Sequence, residues 1–346
     1  MNKKLFRYIF RLQLTSMLFM SFFIFFLILL FDFAEITRKF PISNLKETAF
    51  AIKLSFLRTP NTFCEILHYI YFITATFTMW NLCHSHQITI LKSSGRSPQQ
   101  ILYPFVSCAF FISLVWLFLL HPIGQWSDRC YGKVVNPNLS SEVNRDVWID
   151  YPKDNQIIFI SSIVDNNIEG LHIYYLQEDH RIFAKNAEIR KKSWELRDVT
   201  VVKNGAMNDF DKLTLHNNIS SNLLQILSSS PKKQDIYSLY KVYRIQHRDR
   251  VSLKTYELEL HKLLANCANF ILFALIAAVI CFPINRYKTK TNVAIKMICI
   301  AVMLRFVNNI FESMVYTGVL PVIVACWTVV LVLLCLAVSI LVWNEA

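Results

Sequence analysis

Apolar residues gather into six long runs, and the longest polar stretch between them falls in the middle of the chain. A basic start, Asn2 to Leu12 with Lys3, Lys4, Arg7 and Arg11, leads into the run Leu14 to Phe33. At about 20 residues that run can cross bilayer hydrocarbon as a helix. It is rich in Phe and Leu, longer than a signal-peptide core and without an A-x-A cleavage site, so it is expected to be retained with its N-terminus in the cytoplasm. The segment Ser43 to Thr59 then places Leu45, Ala49, Ile52 and Phe56 at helical spacing, and Pro60 to Cys83 predicts a second span. After a polar link, His84 to Gln100, comes a third span, Ile101 to His121, which Pro122 and Gly124 are expected to end. Leu263 to Ile284, Val293 to Thr317 and Val322 to Trp343 predict three more. Arg286, Lys288 and Lys290 fill one link between them, and Gly318 to Pro321 forms a tight turn in the other.

Between the two sets of three, Trp126 to Lys262 is long enough for a domain of its own. Its apolar positions alternate with period two at Val147, Ile149, Tyr151, at Leu171, Ile173, Tyr175, and at Trp194, Leu196. Turn signals, Asp165-Asn166-Asn167, Glu178-Asp179 and Asn204-Gly205, separate these strands. An antiparallel sandwich or curved sheet is expected, followed by a helix over Asp235 to Tyr243, where Ile236, Leu239, Tyr240 and Tyr243 recur at helical spacing. The layout is spans 1–3 in residues 1–121, an outer β domain in 122–262, and spans 4–6 in 263–346. Both termini would lie in the cytoplasm.

Composition agrees. Hydrophobic residues make up 54% of the chain, above the roughly 45–50% of soluble proteins. The net charge of +12 comes from residues at the span ends and in the middle third rather than in one stripe, so it points to membrane topology and anionic lipid and implies no nucleic acid. Eight of the nine cysteines lie in or near spans, only Cys130 in the polar middle, and there is no CxxC pair for a metal or a disulfide framework. The six glycines include no G-x-x-x-x-G-K-[ST] loop, so any ATP used must be hydrolysed by another chain. No H-E-x-x-H or G-x-S-x-G occurs, and His84 and His86 lack the further ligands that zinc needs.

Three groups of polar residues ask for a reason. The link at 84–97 places Ile88 and Leu91 on one helical face, stops at Gly95, and restarts at Ser97-Pro98-Gln99-Gln100 with an N-cap, a first-turn proline and a capping-box glutamine. It reads either as a short surface helix that grips something outside the bilayer or as an ordinary loop. Basic residues on the outer side (Arg38, Lys39, Lys46, Lys53, Arg58, Arg129 and Lys133) run against the inside-positive trend. Either the trend tolerates them or the outer side meets an anionic lipid. In the fifth span, Arg305, Asn308, Asn309 and Glu312 form one polar stripe at three, four and seven. A buried Arg–Asn–Glu network holding helices together is expected, with a cavity lining as the alternative.

The layout, the link Gln87-Ile88-Thr89-Ile90-Leu91-Lys92-Ser93-Ser94-Gly95 and the turn Gly318-Val319-Leu320-Pro321 resemble the LptF/LptG (YjgP/YjgQ) permease family of the lipopolysaccharide exporter over the whole chain. Asp32-Phe33-Ala34-Glu35-Ile36-Thr37-Arg38-Lys39, Phe311-Glu312-Ser313 and the order Pro122, Gly124, Arg129, Tyr131 are similar to the LptG branch in particular. The resemblance implies a bacterial inner-membrane subunit with a periplasmic β-jellyroll-like domain, six spans and no chemistry or cofactor of its own. Its partners would be an LptF-like permease, an LptB-like ATPase dimer carrying the ATP, and an LptC-like bridge protein leading to LptA, with lipopolysaccharide as cargo. Arg38, Lys39, Arg58, Arg129 and Lys133 become candidates for the lipid A phosphates. Gln87, Ile88, Leu91, Lys92 and Gly95 become candidates for coupling to the ATPase. Departures from the family pattern fall at Gln87, where a glutamate is usual, and at Gly132 and Asn61, where basic residues are usual. Rival readings are the sister subunit LptF, a membrane enzyme and a membrane scaffold.

Overall fold

A computed structural model describes residues 3–39, 44–135, 147–151, 155–164, 167–176, 180–190, 193–203, 206–216, 231–249, 253–282 and 290–343. The chain divides into two compact units, residues 1–128 with 261–346, and residues 129–260.

In the first unit, helix α1 (Lys3–Lys39) and helix α2 (Leu45–His84) form a long antiparallel pair. Pro60 does not begin the second span but lies inside α2. The helix already starts fifteen residues earlier, where Glu47 accepts the backbone N–H of Asn44 at 3.2 Å, half of a capping box. A proline inside a helix removes one backbone bond. Hydroxyls supply other bonds in its vicinity: Thr59 donates to the Ser55 carbonyl at 2.8 Å, and Ser127 donates to that of Leu57 at 2.7 Å. After α2 come the seven-residue α3 (Gln87–Ser93) and then α4 (Pro98–Val115), a π turn (Trp116–Leu120) and α5 (His121–Val135). Pro122 and Gly124, expected to end the third span, leave the helix running. In the π turn the His121 N–H bonds to the Trp116 carbonyl, one residue further back than in an α-helix, which loosens the spiral just before the proline. Gly124 is a packing position instead. A Cβ there would lie 3.2 Å from Cys64 Sγ and 3.3 Å from the backbone of Asn61 and Pro60.

Helices α6 (Ile236–Asp249), α7 (Lys254–Cys281), α8 (Lys290–Tyr316) and α9 (Val322–Trp343) complete the helical elements described here, α6 being longer than the expected Asp235–Tyr243. The core of the first unit lies between α2, α4 and α7, where Phe72 and Phe273 stack at 4.7 Å and Phe105, Phe270 and Trp116 are fully buried. Trp116 Nε1 donates to the Cys64 carbonyl at 2.9 Å, and the Tyr71 hydroxyl to that of Phe105 at 2.8 Å. Among the described residues, five helical segments are long and apolar enough to cross a membrane: Lys3–Lys39, Gln99–Val135, Lys254–Cys281, Thr291–Tyr316 and Val322–Trp343. Helix α2 is not among them. It carries five charged residues and a run of hydroxyls; Lys46, Glu47, Lys53 and Glu65 are exposed, while its neighbours bury Ser55, Thr59, Thr74, Thr76 and Thr78.

The second unit holds one six-stranded antiparallel sheet: β1 (Val147–Tyr151), β2 (Gln156–Val164), β3 (Asn167–Tyr175), β4 (His180–Arg190), β5 (Ser193–Lys203) and β6 (Ala206–His216). The three alternating segments read from the sequence are β1, β3 and β5. The turn residues Asp165, Asn166, Glu178, Asp179, Asn204 and Gly205 lie outside the described residues, as do Arg286, Lys288 and the C-terminal tail. The spatial order is β1-β2-β3-β4-β5-β6, a meander. The Greek-key crossover of a jellyroll sandwich does not occur among the described strands, because each strand pairs with its sequence neighbours. One row of this sheet, Ser161, Gly170, Lys185, Asp198 and Asp211, is unbridged, while the register on either side is unchanged. Gly170 and Asp198 in that row have φ of 66° and 54°. The buried positions step by three across it, from Ile168 to Leu171, Ala184 to Ala187 and Leu196 to Val199. Strands β2 to β6 thus each leave a residue unbridged at the same level, and in β3, β4 and β5 the buried face changes side there, which creases the sheet without shifting its pairing.

The close approach at Gly124 predicts that Gly124→Leu destabilises the helical unit by about 1–3 kcal/mol through overpacking. Gly132→Leu, on the same helix with nothing within 4 Å of the added carbon, is expected to be near neutral. Thermal unfolding of both variants in detergent measures the difference.

Candidate functional site

The first cluster forms where the far end of α1 meets α2. Asp32 and Glu35, three residues apart on one face of α1, point at Arg58 of α2. Arg58 Nη1 lies 2.9 Å from Glu35 Oε2, and its Nε 3.6 Å from Asp32 Oδ1. Thr59 donates to the other Asp32 oxygen at 3.0 Å, and Lys39 donates to Glu35 at 2.7 Å. Asp32 is buried at 5% exposure, and a buried carboxylate needs such partners. Two of the basic residues read as phosphate ligands, Lys39 and Arg58, are therefore already engaged by carboxylates of their own chain. Arg38 is exposed. The sequence displayed both acids, but only the antiparallel pairing of α1 with α2 reveals that they face Arg58.

The remaining two cations belong to the second unit. Arg129 Nη1 lies 3.8 Å from Asp235 Oδ1 beside the start of α6, and Lys133, one turn along α5, is exposed. The five candidates fall in two groups, Arg38, Lys39 and Arg58 in one unit and Arg129 and Lys133 in the other.

The polar link folds as a short helix, Gln87–Ser93, rather than an irregular loop. His86 enters α3 with φ of 59°, and Gly95 leaves it at φ 79°. A Cβ on Gly95 would meet nothing within 4 Å, so glycine is required there for its backbone conformation and not for space. The Ser97 hydroxyl accepts the Gln100 N–H at 3.4 Å, with Pro98 in the first turn of α4. Ile88 is buried and Leu91 half-buried, so these two anchor α3 to its own unit. Gln87 and Ile90, three apart, face outward, Ile90 at 64% exposure. Lys92 lies over the Phe282 ring at 5.5 Å. The outward apolar residue that sequence reasoning missed is Ile90. An exposed residue and a buried one of the same type look alike until the helix is docked.

The stripe on α8 departs from expectation. Arg305 and Asn309 are exposed, and Asn308 and Glu312 half-buried, so there is no buried network among them. Glu312 instead accepts from Lys262 of α7 at 2.9 Å, and Arg305 reaches the Tyr69 hydroxyl of α2. The reason is that α8 packs mainly on α9 and only slightly on α2, leaving this face uncovered by its own chain. A central arginine facing lipid costs roughly 2.5–3.5 kcal/mol on insertion scales, so a bare lipid face is disfavoured and a cavity or a second protein is favoured.

Asp32 and Arg58 are expected to couple by about 1–3 kcal/mol in a double-mutant cycle of Asp32→Asn and Arg58→Met, read from unfolding of the detergent-solubilised chain. Additive effects would mean that the pair is not made in solution.

Residues 7–343 match the family described as lipopolysaccharide export system permease LptF/LptG. No curated protein matches the chain.

Proposed function

The chain belongs to the LptF/LptG family of lipopolysaccharide export permeases, and from that premise we propose that it is one half-transporter of a heterodimer, of the LptG kind, paired with an LptF-like chain. Its multiple apolar helices make it a multi-pass inner-membrane protein. In this reading Pro60 to Cys83 of α2 is the sixth span, polar because it sits at the centre of its unit rather than against lipid. Both termini and α3 face the cytoplasm, and the sheet stands in the periplasm.

The observation that carries this reading is the uncovered polar stripe of Arg305 and Asn309 on a membrane helix. The second half-transporter would face it, and the space between the two would hold lipopolysaccharide. Arg38 and Lys133, both exposed, would meet its phosphates first. For Arg58 and Lys39 a phosphate would compete with Glu35, an exchange of one anion for another that makes binding reversible.

The chain holds no nucleotide loop, so an LptB-like ATPase dimer below the membrane would supply the work. Gln87 and Ile90 on the outer face of α3 would touch it. Ile88 and Leu91 would carry its movement into α2 and α4, and the cavity would narrow and push lipid toward an LptC-like bridge. With glutamine in place of the family's usual glutamate at Gln87, this contact rests on packing and an amide hydrogen bond, not on an ion pair.

Purification from native membranes in mild detergent is expected to recover an ATPase and a second permease of the family. Recovery of the chain alone would remove the power source and the reading with it. Ile90→Glu is expected to lose the ATPase at unchanged thermal stability, because that side chain is already exposed. Ile88→Glu is expected to lower stability by about 2–5 kcal/mol, as large core disruptions do.

A further inference from the structure

One face of the sheet has no part in the transport reading above. Its register aligns Trp148, Phe159, His172, Phe183, Thr200 and Asp209 in a single row across all six strands. The four rings form a continuous ladder, with centroids 4.6, 5.3 and 5.0 Å apart. Trp148 is 57% exposed, and Phe159, His172 and Phe183 are half-buried, while their strand neighbours Ile149, Ile158, Ile160, Leu171, Ile173, Ile182 and Ala184 form the core on the other face. Beside the ladder runs the crease, and there the surface opens into a groove of about 720 Å³, within the size range of small-ligand sites. Its polar lining includes Glu169, Lys185, Asn186, Asp198 and Thr200.

Two backbone features hold this groove open. Gly170 takes φ 66°, and a Cβ on it would come within 2.8 Å of Ser161 Cβ. Asp198 takes φ 54° inside a strand, a conformation that non-glycine residues rarely adopt and that concentrates at functional sites. Its carboxylate is exposed on the groove.

We propose that this aromatic ladder and creased groove bind a saccharide, namely the oligosaccharide portion of the exported lipopolysaccharide. A sugar ring presents an apolar C–H face, which suits an aromatic row even with its rings tilted by 51–76° to one another, and a rim of hydroxyls, which suits carboxylate, amide and hydroxyl partners. The lining discriminates against the other parts of the same molecule. Among the charged side chains that line the groove, Glu169 and Asp198 outnumber Lys185, which disfavours a phosphate. An acyl chain would leave these polar groups desolvated. The choice of sugar source rests on the permease reading; the chemistry of the groove does not.

The test uses the full chain in detergent and the complex recovered with it. Delipidated core oligosaccharide is titrated calorimetrically into the unmodified chain, Asp198→Gly and Trp148→Ala. Asp198→Gly keeps the left-handed backbone, and Trp148 is exposed, so both variants retain the fold. Saturable binding is expected, about fivefold weaker in each variant. In the reconstituted complex both variants are expected to slow release of lipopolysaccharide bearing its core sugars and to leave a sugar-truncated form unaffected. Absence of saturable binding to the unmodified chain, or equal slowing of both cargoes, overturns the proposal. A complex that moves neither cargo defeats the permease reading instead, and the oligosaccharide titration still decides the fate of the groove.

Discussion

A bilayer offers no water to a polar group, and that constraint organises the helical unit around α2. This helix carries Arg58, Thr59, His68, Thr74, Thr76 and Thr78, a set no lipid-facing helix can bear. The chain meets the requirement in two ways. Hydroxyls bond back to their own helix, as Ser55 does to Ala51 and Thr74 to Ile70. Apolar neighbours α1, α4 and α7 then shield the rest from lipid, including the Thr76 and Thr78 hydroxyls and His68 Nδ1, which stay buried without a hydrogen-bond partner among the described residues. These neighbours present hydrocarbon outward. Phe19, Phe22 and Phe31 on α1 remain strongly exposed for that reason.

The same constraint explains why a proline, a glycine and a π turn can share one continuous helix. Trp116 buries its ring in the core and gives its indole N–H to α2. The wide turn that begins at Trp116 adds one residue to the spiral and sets the face that follows, so Gly124 arrives against Cys64 and Ser127 against Leu57. The irregular geometry serves the contact with α2, and Pro122 is tolerated within it.

In the second unit the organising device is the crease. An extra residue in a single strand would throw its neighbours out of register. Placed at one level in β2 to β6, it leaves all the pairings intact and turns the buried face, which lets a plain meander curve around a core while its other face carries an aromatic ladder.

Much of this was legible in the sequence. Apolar length and spacing determined the helices, the alternation at β1, β3 and β5 determined the sheet, and Gly95 with Ser97-Pro98 determined the break between α3 and α4, because local backbone physics acts on neighbouring residues. Partner choice was not legible. That Arg58 faces Asp32 and Glu35, that Ile90 rather than Ile88 points outward, that Arg305 lies uncovered while Glu312 finds Lys262, and that Pro60 and Pro122 sit inside helices were all decided by tertiary packing. The residues concerned are far apart in the chain or differ only in the side of a helix they occupy, and no local preference encodes either.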